Sequence, residues 1–228
     1  MKKILFILVC AACAFNASAQ RASSSSTTFF STEKAEQSVT FGIRVGMNSS
    51  NMQFSGEDDS DSPDNKIGFN AGVSVDIPML QSLYLQTGLY YTTKGYKVEE
   101  NDGDEKYTTK ATPSYLEIPV MASYRYDFSD NAQLQVNFGP YFAYGIGGKY
   151  KEEWSYKGEK EEEKEDLFGK DKYLNRFDAG LGIGAGFTYS KFFFGLNYQF
   201  GLSNILQDAK DGYSVKNKNL SISIGYNF

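Results

Sequence analysis

The sequence predicts an all-β protein, namely an eight-stranded antiparallel transmembrane β-barrel with an up-and-down meander. Three observations favour this fold. Apolar and polar residues alternate strictly along eight segments, the connections between these segments alternate in length, and aromatic residues gather at the segment ends.

Each of the eight segments has one apolar and one polar face. In the first segment, Phe41, Ile43 and Val45 fall on one face, and Gly42 and Arg44 fall on the other. This is the two-residue period of a β-strand, and each segment is long enough to cross the hydrocarbon core at a tilt. The predicted strands are 39–47, 66–77, 83–96, 113–126, 132–148, 173–189, 192–202 and 217–228.

The lengths of the connections predict how the barrel is oriented. Tight turns gather at one rim and long loops at the other, as in outer-membrane barrels, whose short turns face the periplasm. An even number of strands then puts both ends of the barrel in the periplasm. The long loops are 48–65, 97–112, 149–172 and 203–216, and the short turns are 78–82, 127–131 and 190–191.

The apolar face of the strands is predicted to meet lipid. A soluble eight-stranded barrel has the same period with the faces reversed. However, the interior of eight strands is just wide enough for its own side chains, and the many aromatic rings of the apolar face would not fit there. The polar face has glycine at every second position of 180–186, which leaves room in a lumen for Tyr84, Tyr90 or Tyr141.

Aromatic residues near the strand ends predict the two girdles that a bilayer selects. The short-turn girdle is predicted to contain Tyr126, Tyr189, Phe192, Tyr226 and Phe228, and the long-loop girdle Tyr91, Tyr115, Tyr144 and Phe200.

The composition excludes several functional classes. The chain has no histidine, which removes Ser-His-Asp hydrolysis, histidine-bound metals and histidine proton shuttles. The net charge of −5 disfavours binding to nucleic acid. Residues 180–185 (GLGIGA) match a dinucleotide-binding pattern, but more strand follows where that fingerprint needs a helix. No cofactor or metal site is predicted.

The N-terminus predicts export. Residues 1–19 have the features of a secretory signal peptide, with two lysines, a short apolar stretch and a small-residue cleavage site. A lipoprotein signal cut before Cys13 is the alternative. Residues 20–37, rich in Ser and Thr, are predicted to be a flexible periplasmic leader, followed by the barrel over 38–228. Cys10 and Cys13 lie within the signal, so no disulfide is predicted.

Five segments carry a family resemblance: 115–120 (YLEIPV), 139–145 (GPYFAYG), 176–180 (RFDAG), 198–205 (YQFGLSNI) and 221–228 (SISIGYNF). In this order they resemble the PorT-like outer-membrane β-barrel family over roughly 38–228. The resemblance implies an outer-membrane location. Some members of that family are linked to secretion of other proteins, and most have no assigned activity.

Six charged residues fall on the polar face of the predicted strands. Because an unpaired buried charge is costly, we expect them to form a structural cluster of ion pairs that fills the lumen. The alternative is a proton or ion relay, or a gated pore. These residues are Arg44, Asp76, Glu117, Arg125, Arg176 and Asp178.

Two long connections are strongly charged. Residues 57–64 (EDDSDSPD) are interpreted as a solvated loop, with a weak divalent-ion site bridging lipopolysaccharide phosphates as the alternative. Residues 149–172 are interpreted either as a mobile charged loop or as a partner-binding surface anchored by Trp154. Within them, 159–166 fits both a helical turn with Glu–Lys pairs and a hairpin extension.

The last strand ends in a regular apolar series. A terminal aromatic residue with this spacing resembles the signal that the outer-membrane assembly machinery reads, and a girdle anchor is the alternative. The signal hypothesis predicts that deletion of the terminal residue slows insertion in cells, whereas the purified variant refolds normally. The series is Leu220, Ile222, Ile224, Tyr226 and Phe228.

The sequence thus predicts a non-enzymatic integral outer-membrane protein with a side-chain-filled lumen and acidic extracellular loops. Envelope structure, surface interaction and a place in a secretion or transport assembly are the predicted roles. A small pore and a barrel enzyme that does not use histidine are the alternatives. The predicted partners are the lipid bilayer and lipopolysaccharide, the outer-membrane assembly machinery and an unknown protein at the extracellular loops.

Overall fold

The structure is a computed structural model that describes residues 38–56, 63–103, 105–156, 159–170, 172–207, 209 and 212–228. The predicted signal peptide, the leader over 20–37 and residues 57–62 of the acidic segment lie outside the described residues. Within the described residues, no helix is long and apolar enough to cross a membrane.

Ten strands make up the described part of the chain. They are β1 (Thr40–Ser55), β2 (Asp64–Pro78), β3 (Leu83–Thr93), β4 (Tyr96–Asp102), β5 (Glu105–Ser129), β6 (Ala132–Tyr156), β7 (Glu159–Asp166), β8 (Phe177–Tyr189), β9 (Phe192–Gly201) and β10 (Ser214–Asn227).

Eight of these strands pair in a closed antiparallel ring. β1 pairs with β2 on one side and with β10 on the other. The pairings continue from β2 through β3, β5, β6, β8 and β9 to β10. The predicted eight-stranded barrel is confirmed, and closure leaves none of these eight strands with an exposed edge across the membrane.

β4 and β7 extend the barrel wall beyond its long-loop mouth. β4 pairs with the first part of β5, β7 pairs with the last part of β6, and β5 pairs with β6 up to Tyr156. We call this four-stranded extension, residues 96–112 and 149–166, the rim sheet. The prediction of loops over these ranges was wrong, and so was the helical turn, whereas the hairpin alternative for 159–166 is confirmed.

The two faces of the barrel wall are divided as predicted. On the outer face, Ile43, Val73 and Ile183 are 50–52% exposed in the isolated chain, whereas alternate residues are buried in the lumen. Tyr115 is the exception to the predicted girdle, because it is 0% exposed. It shares the parity of the inward residue Glu117 on β5, so its side chain lies inside the barrel.

Glycine on β8 creates space in the lumen, as predicted. A Cβ atom at Gly180 would lie 2.7 Å from Cε1 of Tyr141, which is itself fully buried. A side chain at this position would therefore displace the Tyr141 ring from the lumen.

Candidate functional site

Three charged side chains meet in the lumen below the long-loop mouth, and we call them the lumen triad. Nζ of Lys94 lies 2.9 Å from Oε2 of Glu117 and 3.4 Å from Oδ2 of Asp178. The Lys94 and Asp178 side chains are 0% exposed. The triad joins β5 and β8 to the residue that follows β3, so it ties together parts of the wall that are distant in sequence.

Neighbouring polar groups donate hydrogen bonds to the two triad carboxylates. Gln199 donates to Oε1 of Glu117 at 2.5 Å. Asn217 donates to Oδ2 of Asp178 at 2.9 Å and Ser203 donates to Oδ1 at 3.1 Å. The ring of Tyr141 lies 4.2 Å from Nζ of Lys94. Buried charges that are paired and hydrogen-bonded in this way hold one defined arrangement.

Lys94 was absent from the six charged residues that the sequence predicted. It lies where β3 ends and the chain bends, because Gly95 has φ of +136° and a Cβ there would be 2.0 Å from the Ala111 carbonyl oxygen. The Lys94 amide donates to the Pro113 carbonyl at 3.0 Å, which fixes the bend. Lys94 follows Tyr90 and Thr92 at alternate positions, so it continues the inward face of that strand. This alternation was the sequence signal that could have identified it.

A second ion pair lies at the short-turn end of the lumen. Nη2 of Arg125 is 2.9 Å from Oδ1 of Asp76, and Gln86 donates to the same oxygen at 2.8 Å. The Arg125 guanidinium also lies 4.1 Å from the centroid of the Tyr84 ring. The structure therefore brings Asp76 and Arg125 together, apart from Glu117 and Asp178.

The two remaining predicted residues join neither ion pair. Arg44 is buried and donates to Oδ1 of Asn227 at 2.6 Å, with its guanidinium 4.1 Å from the Phe193 ring centroid. Arg176 makes no ion pair with the described lumen carboxylates, and its guanidinium lies 5.5 Å from the centroid of the buried Phe168 ring. It precedes β8, donates to the Gly145 carbonyl at 2.7 Å and is only partly buried.

An apolar cap covers the lumen triad at the long-loop mouth. Leu167 and Phe168 enter from the β7–β8 connection, and Ile205 enters from the β9–β10 connection. Tyr115 packs edge-to-face on Phe168 with ring centroids 5.8 Å apart. The buried members of the cap are Met52, Ala111, Tyr115, Tyr141, Ala143, Leu167, Phe168, Leu174, Ile205 and Val215.

A cavity of about 100 Å³ remains in the lumen. Its lining includes Arg44 and Gln86, and also Glu117 and Gln199 near the triad. This volume holds a few water molecules, which is far less than a channel along the barrel axis would need.

The rim sheet has two chemically different faces. Cross-strand partners share a face, so the row Glu100, Tyr107, Trp154 and Glu161 lies on one side of the sheet. Lys110, Lys151 and Lys164 form a row on the other side. We call the first side the aromatic–acidic face and the second the basic face.

Ion pairs link the lysines of the basic face to carboxylates on the same face. Lys110 lies 3.2 Å from Glu153, and Lys151 lies 2.6 Å from Glu162. Hydrogen bonds from Lys151 and Lys110 lower the pKa of Glu153 to about 2, and those from Lys151 and Lys164 lower the pKa of Glu162. The basic face thus neutralises most of its own charge.

Trp154, the predicted partner anchor, lies at the centre of the aromatic–acidic face. Its ring stacks on Tyr156 with centroids 6.2 Å apart, and the ring of its cross-strand partner Tyr107 is 6.5 Å away. Trp154 is partly buried, and its indole Nε1–H has no hydrogen-bond partner among the described residues. The structure thus presents an aromatic ladder on a strand instead of an aromatic residue on a loop.

The arrangement is suited to holding structure and presenting a surface. Within the described residues, no group of three or more Asp, Glu, Cys or His side chains has the arrangement of a metal site. The described lumen carboxylates Asp76, Glu117 and Asp178 are each held by an ion pair and a further hydrogen bond.

One family model matches most of the chain. The sequence profile described as outer membrane protein beta-barrel domain matches residues 19–207. No curated protein sequence matches the chain.

The solved structures that are similar to the chain include the following three. Ail, the attachment invasion locus protein of Yersinia pestis, is 17% identical, covering 84% of this chain and 100% of Ail with a TM-score of 0.41. Neisserial surface protein A is 13% identical, covering 84% and 100% with a TM-score of 0.40. OprG of Pseudomonas aeruginosa is 12% identical, covering 86% and 99% with a TM-score of 0.44.

Proposed function

Because the chain belongs to the family of outer membrane protein β-barrel domains, and is located in the outer membrane, we propose that it is a non-enzymatic surface-interaction protein. In this proposal the barrel is a closed anchor in the bilayer, and the rim sheet is the part that it displays outside the cell.

The main observation behind this proposal is that the lumen is closed at the long-loop mouth. The lumen triad places paired, buried charges inside the lumen, and the apolar cap packs at the mouth above it. An open passage would require both layers to separate, which would leave buried charges unpaired and expose the apolar cap to water. The ordered sheet beyond the mouth is then the surface available to a partner.

The closed lumen leads to a prediction for electrical recordings. Purified wild-type barrel, reconstituted into planar bilayers, should give no steady conductance above that of the bare bilayer, because no continuous water path crosses the triad. An open porin in the same bilayers is the positive control. Reproducible single-channel steps from the wild-type chain would favour the small-pore alternative and overturn the plugged anchor.

The chemistry of the chain also supports a non-enzymatic role. The sequence has no histidine, and the carboxylates of the described lumen are engaged in ion pairs, which disfavours their use as general bases. A barrel enzyme that does not use histidine remains the competing proposal.

The narrower family and the partners are further parts of the proposal. The five motifs support PorT-like membership within the broader family, and with it a place in a secretion or transport assembly. The outward apolar band supports contact with the bilayer and with the acyl chains of lipopolysaccharide. Phe228 is 68% exposed, and its ring packs edge-to-face on the ring of Tyr226 near the end of β10. This position supports both the assembly signal and the girdle anchor.

A further inference from the structure

We propose that the aromatic–acidic face of the rim sheet binds an extended basic segment of a partner protein, with lysine or arginine at alternate positions. This inference rests on the proposed surface-interaction function and names the chemistry of the partner. Its basis is the segregation of charge between the two faces of the sheet, the aromatic ladder at the centre of one face and the free edge of β7.

Side chains alternate between the two faces along each rim strand, and this alternation keeps the lysines off the aromatic–acidic face. On β7, positions 159, 161, 163 and 165 share the aromatic–acidic face, and all four are glutamate. Glu100 and Glu152 extend the same face across β4 and β6. No lysine or arginine of the described rim strands lies on this face, whereas the opposite face has the lysines.

The carboxylates of this face have few partners of their own. Glu152 accepts a hydrogen bond from the Tyr150 hydroxyl at 2.8 Å, and Glu165 is 3.3 Å from Nζ of Lys172. Glu100, Glu161 and Glu163 have no basic partner among the described side chains. A cationic ligand would therefore gain charge interactions that the folded chain does not satisfy itself.

The aromatic ladder selects cations over other ligands. Tyr107 is 46% exposed, and it lies with Trp154 and Tyr156 between the glutamates of β4 and β7. Aromatic faces attract ammonium and guanidinium groups, and tryptophan does so most strongly. Carboxylates flanking aromatic rings thus favour lysine or arginine side chains.

The spacing of the face fits an extended segment. Side chains on one face of a strand repeat every two residues, roughly 6.6–6.8 Å. The glutamates of β7 and the pair Trp154–Tyr156 follow this repeat. β7 pairs only with β6 among the described residues, so its other edge offers backbone groups to an added strand. Alternate basic residues of such a strand would align with the glutamate series.

Charge excludes two other occupants. A second copy of this chain would set glutamate against glutamate across the β7 edge, which is repulsive. The phosphates of lipopolysaccharide carry the same sign of charge as this face and would also be repelled. A partner polypeptide with alternating positive charge is the occupant that the surface complements.

Fluorescence titration of the purified protein in detergent tests the inference. The probe is a peptide that alternates lysine with threonine over eight residues, the length of β7. Trp154 is the single tryptophan of the chain, so its emission should change saturably as the peptide binds. A peptide with the same residues in two blocks should bind about tenfold more weakly, because its charges miss the two-residue repeat.

A matched pair of variants separates the two faces. The double variant Glu161→Gln/Glu163→Gln should weaken binding about tenfold or more. Glu153→Gln/Glu162→Gln removes the same charge from the basic face and should change affinity by less than about threefold. Circular dichroism of both variants checks that the sheet is retained.

Three results would overturn the inference: no saturable change with the wild-type protein, equal binding of the alternating and block peptides, or equal weakening by both double variants. The peptide comparison uses the wild-type chain, so it holds even if a variant fails to fold. Because binding is measured in detergent, its failure would contradict only the docking surface. A conducting lumen would contradict the proposed function itself.

Discussion

Replacing Lys94 by methionine is expected to lower the free energy of unfolding by about 3–5 kcal/mol. Methionine retains the length and apolar stem of the side chain but removes its charge. Glu117 and Asp178 would then be buried in the lumen without the cation that pairs them. Equilibrium denaturant unfolding of the barrel in lipid vesicles measures this loss.

A triple variant is the control for the lumen triad. Lys94→Met combined with Glu117→Gln and Asp178→Asn leaves no charge in the triad, while the amides retain hydrogen bonding with neighbours such as Gln199 and Asn217. We expect it to recover most of the lost stability, because the main cost of the single variant is the unpaired charge. A loss below about 1 kcal/mol for Lys94→Met, as for an exposed ion pair, would contradict a buried triad.

Introducing arginine in the middle of the outward apolar face is expected to cost about 2–4 kcal/mol. Val73 on β2 and Ile183 on β8 are 52% and 50% exposed in the isolated chain and lie in the middle of their apolar series. In a bilayer these positions contact hydrocarbon, where a charged side chain loses its hydration. Unfolding of Val73→Arg and Ile183→Arg in lipid vesicles measures the effect.

Two control variants separate the effect of the introduced charge from the effects of side-chain size and of a change on the lumen face. Val73→Ala tests truncation at the same position without adding a charge. Gln135→Ala removes a lumen residue whose amide donates to Asn137 at 3.1 Å, and its expected cost is within about 1.5 kcal/mol. Arginine variants as stable as wild type, within about 0.5 kcal/mol, would mean that this face contacts water and that the barrel is soluble.

The membrane strands and their faces could be predicted because both are encoded locally. A two-residue period defines each strand, and the requirement for apolar side chains toward lipid determines its outer face. The rim sheet was missed because its strands have no continuous apolar face. Their two-residue period appears only in the alternation of charge type, as in the glutamate positions of 159–166.

The lumen triad depends on contacts that no local pattern reveals. Lys94 and Asp178 are 84 residues apart in the chain, and their meeting requires both barrel closure and the bend at Gly95. Parity of strand positions would have corrected one further error. Tyr115 was assigned to a girdle from its height alone, although it lies two positions before the inward Glu117 and therefore shares its face.

Whole-cell labelling of two introduced cysteines tests most directly whether the barrel displays the rim sheet at the cell surface. Both native cysteines, Cys10 and Cys13, lie in the predicted signal peptide, so the barrel offers none. Glu161→Cys places a thiol on the rim sheet, and Asp130→Cys places one in the short turn between β5 and β6. With a membrane-impermeant maleimide, the account predicts that Glu161→Cys reacts in intact cells and that Asp130→Cys reacts only after the outer membrane is permeabilised. Labelling of Asp130→Cys, but not of Glu161→Cys, in intact cells would contradict it.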